Sequence, residues 1–285
     1  MTTHIIEPLH DNEPAPLGIT ALNQPARLEE FVARNLQWLT TKLAEHGAIL
    51  FRGYEVNDVA AFARFIAATG SRGTPHGFGS TRGLPMMKQI HTPTEDSPHL
   101  ETPLHNEYAD LNTWPRWLAF CCVMPAAAGG EVLIADLHAV SRSLGPALLD
   151  RFERAQVQYV RHFQEGGDLS WTSQGVIRSP LTGERLFFNQ AHLFYGNGMK
   201  VEGATAMHGA LDARYLPRHA RYGDGTEIPS EVVLRIHQAF QQHAVIFPWQ
   251  RGDVLWIDNM QAAHGRRPFQ GERRLLTALL DPSDD

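Results

Sequence analysis

Cysteine is scarce in this chain. Its two cysteines are adjacent, Cys121 and Cys122, inside an apolar run. Neighbours of that kind seldom bridge each other, so no disulfide framework organises the fold, and a reduced, cytoplasmic protein is expected. Positive charge is also short. Lys and Arg number 25 against 31 Asp and Glu, a formal net charge of −6, which argues against non-specific nucleic-acid binding and gives no reason to invoke a membrane surface. No apolar run approaches bilayer-spanning length. The first residues, Met1 to Pro8, have neither the basic start nor the apolar stretch of a secretory signal. Internal repeats, low-complexity tracts and a His-Glu-x-x-His helix are all missing. What remains, with 43% hydrophobic and 20% charged residues, is a soluble globular chain able to bury a sizeable core.

Along the chain, residues 1–24 are Pro-rich and weakly patterned, and read as a surface arm. Residues 25–70 form a helical start. Leu28, Phe31, Val32, Leu36, Leu39 and Leu43 follow helical spacing up to a stop at Gly47; Ala48–Phe51 reads as a buried strand; and Asn57 or Asp58 caps a second helix ending at Gly70. Residues 71–285 change character. A Gly/Pro/Thr-rich loop at 71–86 is followed by short strand-like runs at Met87–His91, Trp117–Val123, Glu131–Ala135, Val157–His162, Arg185–Phe188, Val245–Phe247, Val254–Ile257 and Leu275–Leu280. Helices are expected at Leu137–Leu144, Pro146–Ala155 and Ser230–His243. Many short strands with a few flanking helices predict a mainly β, single-domain jelly roll, with helical insertions in the core.

The chemistry concentrates at Leu104-His105-Asn106-Glu107. A histidine and a carboxylate two residues apart in extended backbone point the same way and can grip one metal ion. With 15 histidines in the chain, His-x-Glu alone says little. A third ligand, His264, follows the turn-and-strand run Gly252–Asp258. Nine and ten residues further on, Arg273 and Arg274 head the apolar run Leu275–Leu280. A cation entering an apolar strand is costly to bury unless it meets an anion. Two histidines, a carboxylate and a distal arginine are the parts of a non-haem Fe(II) facial triad with a chelating keto-acid co-substrate. The guanidinium suits that co-substrate's far carboxylate. Zinc is the rival metal, in a hydrolase of the His-His-Glu kind. A non-catalytic jelly-roll binding protein with structural histidines is the other alternative.

The stretches Gly47–Gly53, Leu104–Glu107, Trp114-Pro115, Gly129-Gly130-Glu131, Phe188–Phe194, Gly252–Leu255 and His264-Gly265-Arg266, in that order, resemble the taurine dioxygenase/TfdA superfamily of Fe(II)/2-oxoglutarate oxygenases. The similarity is greatest to the branch with clavaminate synthase and the syringomycin aspartyl hydroxylase. The resemblance implies a double-stranded β-helix core, Fe(II) held by His105, Glu107 and His264, 2-oxoglutarate salt-bridged by Arg274 with Arg273 as the alternative, and O2 as oxidant. It also implies hydroxylation of an unactivated C–H bond in an amino acid or amino-acid-derived substrate of specialised metabolism, free or presented by a carrier protein. Desaturation, epoxidation or cyclisation by the same cofactors is the alternative outcome. Two departures stand out. Relatives often place Thr after Gly-Gly-Glu, where this chain has Val132. Taurine-type enzymes carry a second arginine four residues beyond the first, where this chain has Ala278 after Arg274 and Thr277 after Arg273, so taurine is not the expected substrate. Glu107 also sets the chain apart from the family's halogenases, which give up that ligand.

Three further residues are candidates for the substrate. Arg82, in Ser80-Thr81-Arg82, could meet a carboxylate or lie in solvent. Glu101 could hold an amine. Asn189, beside Gln190, could read polar groups or satisfy a sheet edge. Arg266 is expected to brace the strand carrying His264.

Overall fold

The structure is a computed structural model, and it describes residues 3–10, 15–23, 25–73, 82–84, 87–92, 97–163, 167–195 and 218–283. In chain order the first elements are β1 (His4–Pro8), β2 (Leu17–Ala21), α1 (Leu28–His46), β3 (Ala48–Arg52), α2 (Val59–Thr69), β4 (Arg82–Leu84), β5 (Met87–Thr92), β6 (Thr102–His105), β7 (Pro115–Met124), β8 (Ala128–Gly129) and β9 (Val132–Asp136). Next come α3 (Leu137–Leu144), α4 (Pro146–Ala155), β10 (Val157–Phe163), β11 (Gly167–Ser173), β12 (Val176–Arg178), β13 (Arg185–Phe187), α5 (Ala191–Phe194), β14 (Arg218–Tyr222) and α6 (Ser230–Gln242). The chain finishes with β15 (Ala244–Phe247), β16 (Val254–Asp258), β17 (Ala262–Arg266), β18 (Phe269–Gln270) and β19 (Arg274–Pro282). The described residues gather into two compact units. One comprises Met1–Leu104, Pro115–Asp136 and Ala244–Asp284; the other comprises His105–Trp114 and Leu137–His243.

The first unit holds an eight-stranded sheet, in the order β1-β2-β3-β16-β7-β19-β5-β4, and a four-stranded sheet, β15-β9-β17-β6. Strand alternation decides how the large sheet is buried. Ile49 and Phe51, Val254 and Trp256, Ala119 and Cys121, and Leu276, Ala278 and Leu280 share one cluster with Leu28, Val32, Leu39, Leu43, Phe62, Phe65 and Ile66 of α1 and α2. The other face carries Phe120, whose ring lies 5.3 Å from that of His264 on the smaller sheet. The two sheets therefore face each other as a jelly roll, with helices on the outside of one of them. With both faces covered, the strands read as continuous apolar runs, and each fully buried Leu or Phe contributes roughly 1.5–3 kcal/mol.

Several expectations are met within a residue or two. Asp58 caps α2 by accepting from the Ala61 amide at 2.7 Å, and α1 and α2 end at Gly47 and Gly70 in left-handed backbone. Part of the amino-terminal arm departs from its reading. Residues 17–21 form β2, parallel to β3, with Ile19 fully buried. The short alternation of Leu17, Ile19 and Ala21 is obscured in the sequence by the prolines before it. In the 71–86 stretch, Ser80 and Thr81 lie outside the described residues. Arg82 opens β4, but its side chain is outside the described atoms.

The second unit is built on a three-stranded sheet, β11-β10-β14, and a hairpin, β12–β13. Its core includes Val140, Phe152, Tyr159, Phe187, Ile236 and Phe240. Phe187 joins them, with ring centroids 5.2 Å from Phe152 and 6.2 Å from Phe240. Among the described residues, no helix of either unit is long and apolar enough to cross a membrane.

Candidate metal centre

His264 stands at the middle of β17, between Ala263 and Gly265, with Ile134 of β9 opposite it. The turn before it is fixed by Asp258. This buried carboxylate accepts from the Met260 amide at 3.0 Å, and burial raises its pKa to about 6. Gly265 matters for a steric reason. A Cβ at this position would come within 2.7 Å of the Thr102 carbonyl oxygen and 3.1 Å of the Leu104 nitrogen. β6 can lie against β17 at this distance only because no side chain intervenes. β6 ends at His105, and Glu107 follows two residues later.

The chain then turns sharply, with Tyr108 in left-handed backbone at φ 56°, a conformation disfavoured for a bulky non-glycine residue. Three side chains of the second unit hold this turn by donating to its carbonyls. Gln190 Nε2 reaches Asn106 O at 2.7 Å, Trp171 Nε1 reaches Asp110 O at 2.7 Å, and Gln174 Nε2 reaches Leu111 O at 3.1 Å. Burial, aided by Glu107 and Asp110, raises the Tyr108 phenol to about 12.

The outcome is that one ligand atom from each of His105, Glu107 and His264 lies within 4.8 Å of the other two, all three residues half-buried. His105 Nε2 and Glu107 Oε2 are 3.8 Å apart. Among the described residues no other set of His, Cys, Asp or Glu is grouped in this way. Two imidazoles and one carboxylate fit a divalent first-row metal with bonds of about 2.0–2.2 Å.

The other sequence candidates separate. Arg273 is half-buried, and its Cζ lies 5.3 Å from the Phe269 ring centroid; Arg274 is exposed. A groove of about 750 Å³, lined in part by Met124, Phe269, Arg273 and Arg274, opens over both. Glu101, a candidate for a substrate amine, is ion-paired with Arg267 at 2.5 Å. Asn189, a candidate for substrate contact, is buried and employed locally: its Nδ2 donates to Gly175 O at 2.8 Å, and its Oδ1 accepts from Ala191 N at 3.0 Å. It shapes the entry to α5, and its neighbour Gln190 supports the His105–Glu107 loop. Arg266 is buried, packs over Phe269 with its Cζ 4.9 Å from the ring centroid, and donates to the Arg267 carbonyl at 3.1 Å. Val132 is buried at the head of β9. On the inner face of β19, Thr277, paired with Phe120, has a buried hydroxyl without a hydrogen-bond partner among the described residues.

The model of the family described as taurine catabolism dioxygenase TauD, TfdA family, matches residues 11–279. The chain belongs to this family. Its enzymatic class, a dioxygenase using iron and 2-oxoglutarate, is that of its relatives. The dapdiamide synthesis protein DdaC of Enterobacter agglomerans is 31% identical, over 97% of this chain and 94% of its own length. A clavaminate synthase-like protein of Arabidopsis thaliana is 28% identical over 93% and 90%. Among solved structures, PvcB of Pseudomonas aeruginosa superposes with a TM-score of 0.63 at 16% identity, covering 97% of this chain and 91% of its own. AAD-2 in complex with Mn(II) and N-oxalylglycine gives 0.64 at 11%, over 99% and 98%. At these identities the structures speak for the shared jelly-roll fold.

Proposed function

We propose that His105, Glu107 and His264 hold Fe(II), and that the protein couples conversion of 2-oxoglutarate to oxidation of an unactivated C–H bond. The observation that carries this reading is the convergence of three ligand atoms within 4.8 Å, drawn from positions far apart in the chain. Bound there, iron and 2-oxoglutarate together supply an oxygen-derived oxidant able to attack such a bond, with succinate and carbon dioxide as co-products. The chain's own task is positioning. The close approach at Gly265 sets the spacing of the two histidines, and Gln190 fixes the backbone between His105 and Glu107. Phe120 lies against the His264 ring, limiting water on that side.

For the co-substrate's far carboxylate we favour Arg273 over Arg274, reversing the order taken from the sequence. Arg273 is the half-buried one of the pair, and an exposed guanidinium binds an anion against the full competition of water. Thr277 offers a hydroxyl in place of the one absent at Val132, because it faces Phe120 on β19, the strand that Arg273 leads into, and has no hydrogen-bond partner among the described residues.

The substrate is an amino acid or a derivative of one, free or carried by a protein, and hydroxylation is the expected outcome. The role of DdaC in dapdiamide synthesis and the description of PvcB as an Fe, alpha-ketoglutarate dependent oxygenase from an isonitrile synthetic pathway support a biosynthetic setting. The test is oxygen-dependent formation of succinate from 2-oxoglutarate by Fe(II)-loaded protein across a panel of amino acids and acylated amino acids. Product mass then separates hydroxylation from desaturation, epoxidation and ring closure. Turnover that persists without oxygen or 2-oxoglutarate would exclude the oxygenase reading and point to a zinc hydrolase.

A further inference from the structure

The turn after Glu107 contains a buried acid that the metal centre does not use. Asp110 is 7% exposed, and among the described residues the one hydrogen bond to its carboxyl comes from its own amide. Two other buried carboxylates are better supplied. Asp253 accepts from Arg52 at 2.8 Å, and Asp258 from the Met260 amide at 3.0 Å. Among the described residues no cation stands within ion-pair distance of Asp110, which lies in the fields of Arg161, Glu107 and His105. A buried carboxylate without a cation is costly. Burial raises the Asp110 pKa to about 6, so the group is still mostly ionised at neutral pH.

The sheet of the second unit turns one face toward this acid. Trp171 of β11 donates from Nε1 to the Asp110 carbonyl at 2.7 Å. Tyr159 of β10 lies directly opposite Trp171 and accepts from the Gln190 amide at 3.0 Å, while Gln190 Nε2 holds the Asn106 carbonyl. Directly paired residues share a face of a sheet, as do alternate residues along a strand, so Arg161 stands on this face too. Its guanidinium lies against two rings, Cζ 5.6 Å from the centroid of Trp171 and 5.7 Å from that of Phe194. Arg161 is exposed, and among the described residues no carboxylate is within ion-pair distance of it. Other arginines of the unit are joined to acids: Arg151 to Asp224, Arg178 to Glu153, and Arg185 to Asp150 and Glu153. One indole thus fixes both groups, with Arg161 against its ring and the Asp110 backbone on its N–H. Two opposite charges are held within each other's field and are not joined.

We propose that Asp110 and Arg161 recognise a free α-amino acid as a zwitterion, Asp110 taking the ammonium and Arg161 the carboxylate. The proposal rests on the oxygenase reading and narrows it, because a carrier thioester removes the charge of the carboxylate and an N-acyl group that of the ammonium. A guanidinium fork meets both oxygens of a carboxylate, and its stacking on the rings leaves the N–H edge available. The buried acid gains the cation it lacks. Glu107 of the same turn is committed to the metal, which leaves Asp110 as the acid of that turn for the substrate.

The experiment uses Fe(II)- and 2-oxoglutarate-loaded protein without oxygen, titrated by calorimetry with each proteinogenic amino acid. The visible band of the metal–keto-acid chelate is recorded alongside. The tightest binder is then set against its 2-hydroxy acid analogue, which lacks the ammonium, and its amide, which lacks the carboxylate. The free amino acid should bind about ten-fold or more tightly than either. The variants should separate the two ends. Arg161→Gln should abolish the preference over the amide and keep that over the hydroxy acid, and Asp110→Asn should do the reverse, with the visible band unchanged in both. A purely structural role would weaken all three ligands alike. Arg161 is exposed, so its variant carries the test alone if Asp110→Asn does not fold. The proposal is overturned if no amino acid binds, if either analogue binds as well as the free amino acid, or if the folded variants keep both preferences or lose both together. Failure of the oxygenase reading looks different, because the parent protein then gives no band at all.

Discussion

The large sheet of the first unit and the three-stranded sheet of the second treat charge in opposite ways. In the first, β16 is buried along its whole length and Leu275–Leu280 of β19 along theirs, and charge is confined to strand ends, as in the Arg52–Asp253 pair and Arg273. In the second, β11 is largely exposed and two arginines stand opposite each other on aromatic rings. Buried scaffold and surface charge are thereby divided between the two sheets. The large sheet lays Phe120 against the ring of His264, which stands on the smaller sheet of the same unit.

The sharpest way to break this division is at the metal. His264→Ala should abolish succinate formation while leaving the fold intact by circular dichroism; substantial residual turnover would place the metal elsewhere. Next comes the strand-end arginine. Arg273→Ala should raise the KM for 2-oxoglutarate by about 10–100-fold, the loss of a charge-assisted contact, and Arg274→Ala should change it about two-fold or less. The reverse ranking would return the role to Arg274.

A third prediction concerns what charge costs in the apolar sheet. Burial raises the Asp253 pKa despite its partner, so the ion pair itself adds little stability. Arg52→Ala, however, strands a carboxylate that is 1% exposed, and should cost about 3 kcal/mol in thermal or denaturant unfolding. Arg178→Ala, which breaks an exposed pair of the second unit, should cost about 0.5 kcal/mol or less. Equal costs would erase the contrast.

A fourth prediction uses pH. Burial lowers the His237 pKa to about 4. The unfolded chain takes up this proton near pH 6.5, and the folded chain takes it up only near pH 4. Stability is therefore fully present above pH 6.5 and falls as pH drops toward 4, by up to roughly 3 kcal/mol from this group. In His237→Gln that part of the pH dependence should flatten; an unchanged slope would show that other groups set it. The smallest effect is expected at Thr277. Thr277→Val removes a buried hydroxyl without a partner and should stabilise the apo-protein by up to about 1 kcal/mol while weakening 2-oxoglutarate binding. Unchanged affinity would leave Thr277 a packing residue only.

How far the sequence could be read follows from these same residues. The convergence of His105, Glu107 and His264 is legible because a period of two and a turn-and-strand run are local signals, and β17 and β6 lie side by side as that pattern requires. The arginine was not resolved, because strand alternation cannot rank Arg273 and Arg274 across a break in pairing. The register shifts between Arg274 and Leu275, so the regular pairing of β19 with β7 does not extend back to the arginines. The partner of Glu101 lies 166 residues away, and no local pattern announces such a pair. The support that Gln190 and Trp171 give to the loop after His105 escapes the sequence for the same reason. The cross-strand pairing of Arg161 and Arg218 likewise depends on β14, which carried no strand signal strong enough to be read in advance.

The central claim is that one ion and one keto acid meet at His105, Glu107 and His264. The most direct measurement is anaerobic addition of Fe(II) and 2-oxoglutarate to metal-free protein, following the weak visible absorption of the chelate. The account predicts a band in the parent protein, none in His264→Ala, and one that needs more 2-oxoglutarate to form in Arg273→Ala. Folded, iron-loaded parent protein that gives no band and binds no 2-oxoglutarate would contradict it.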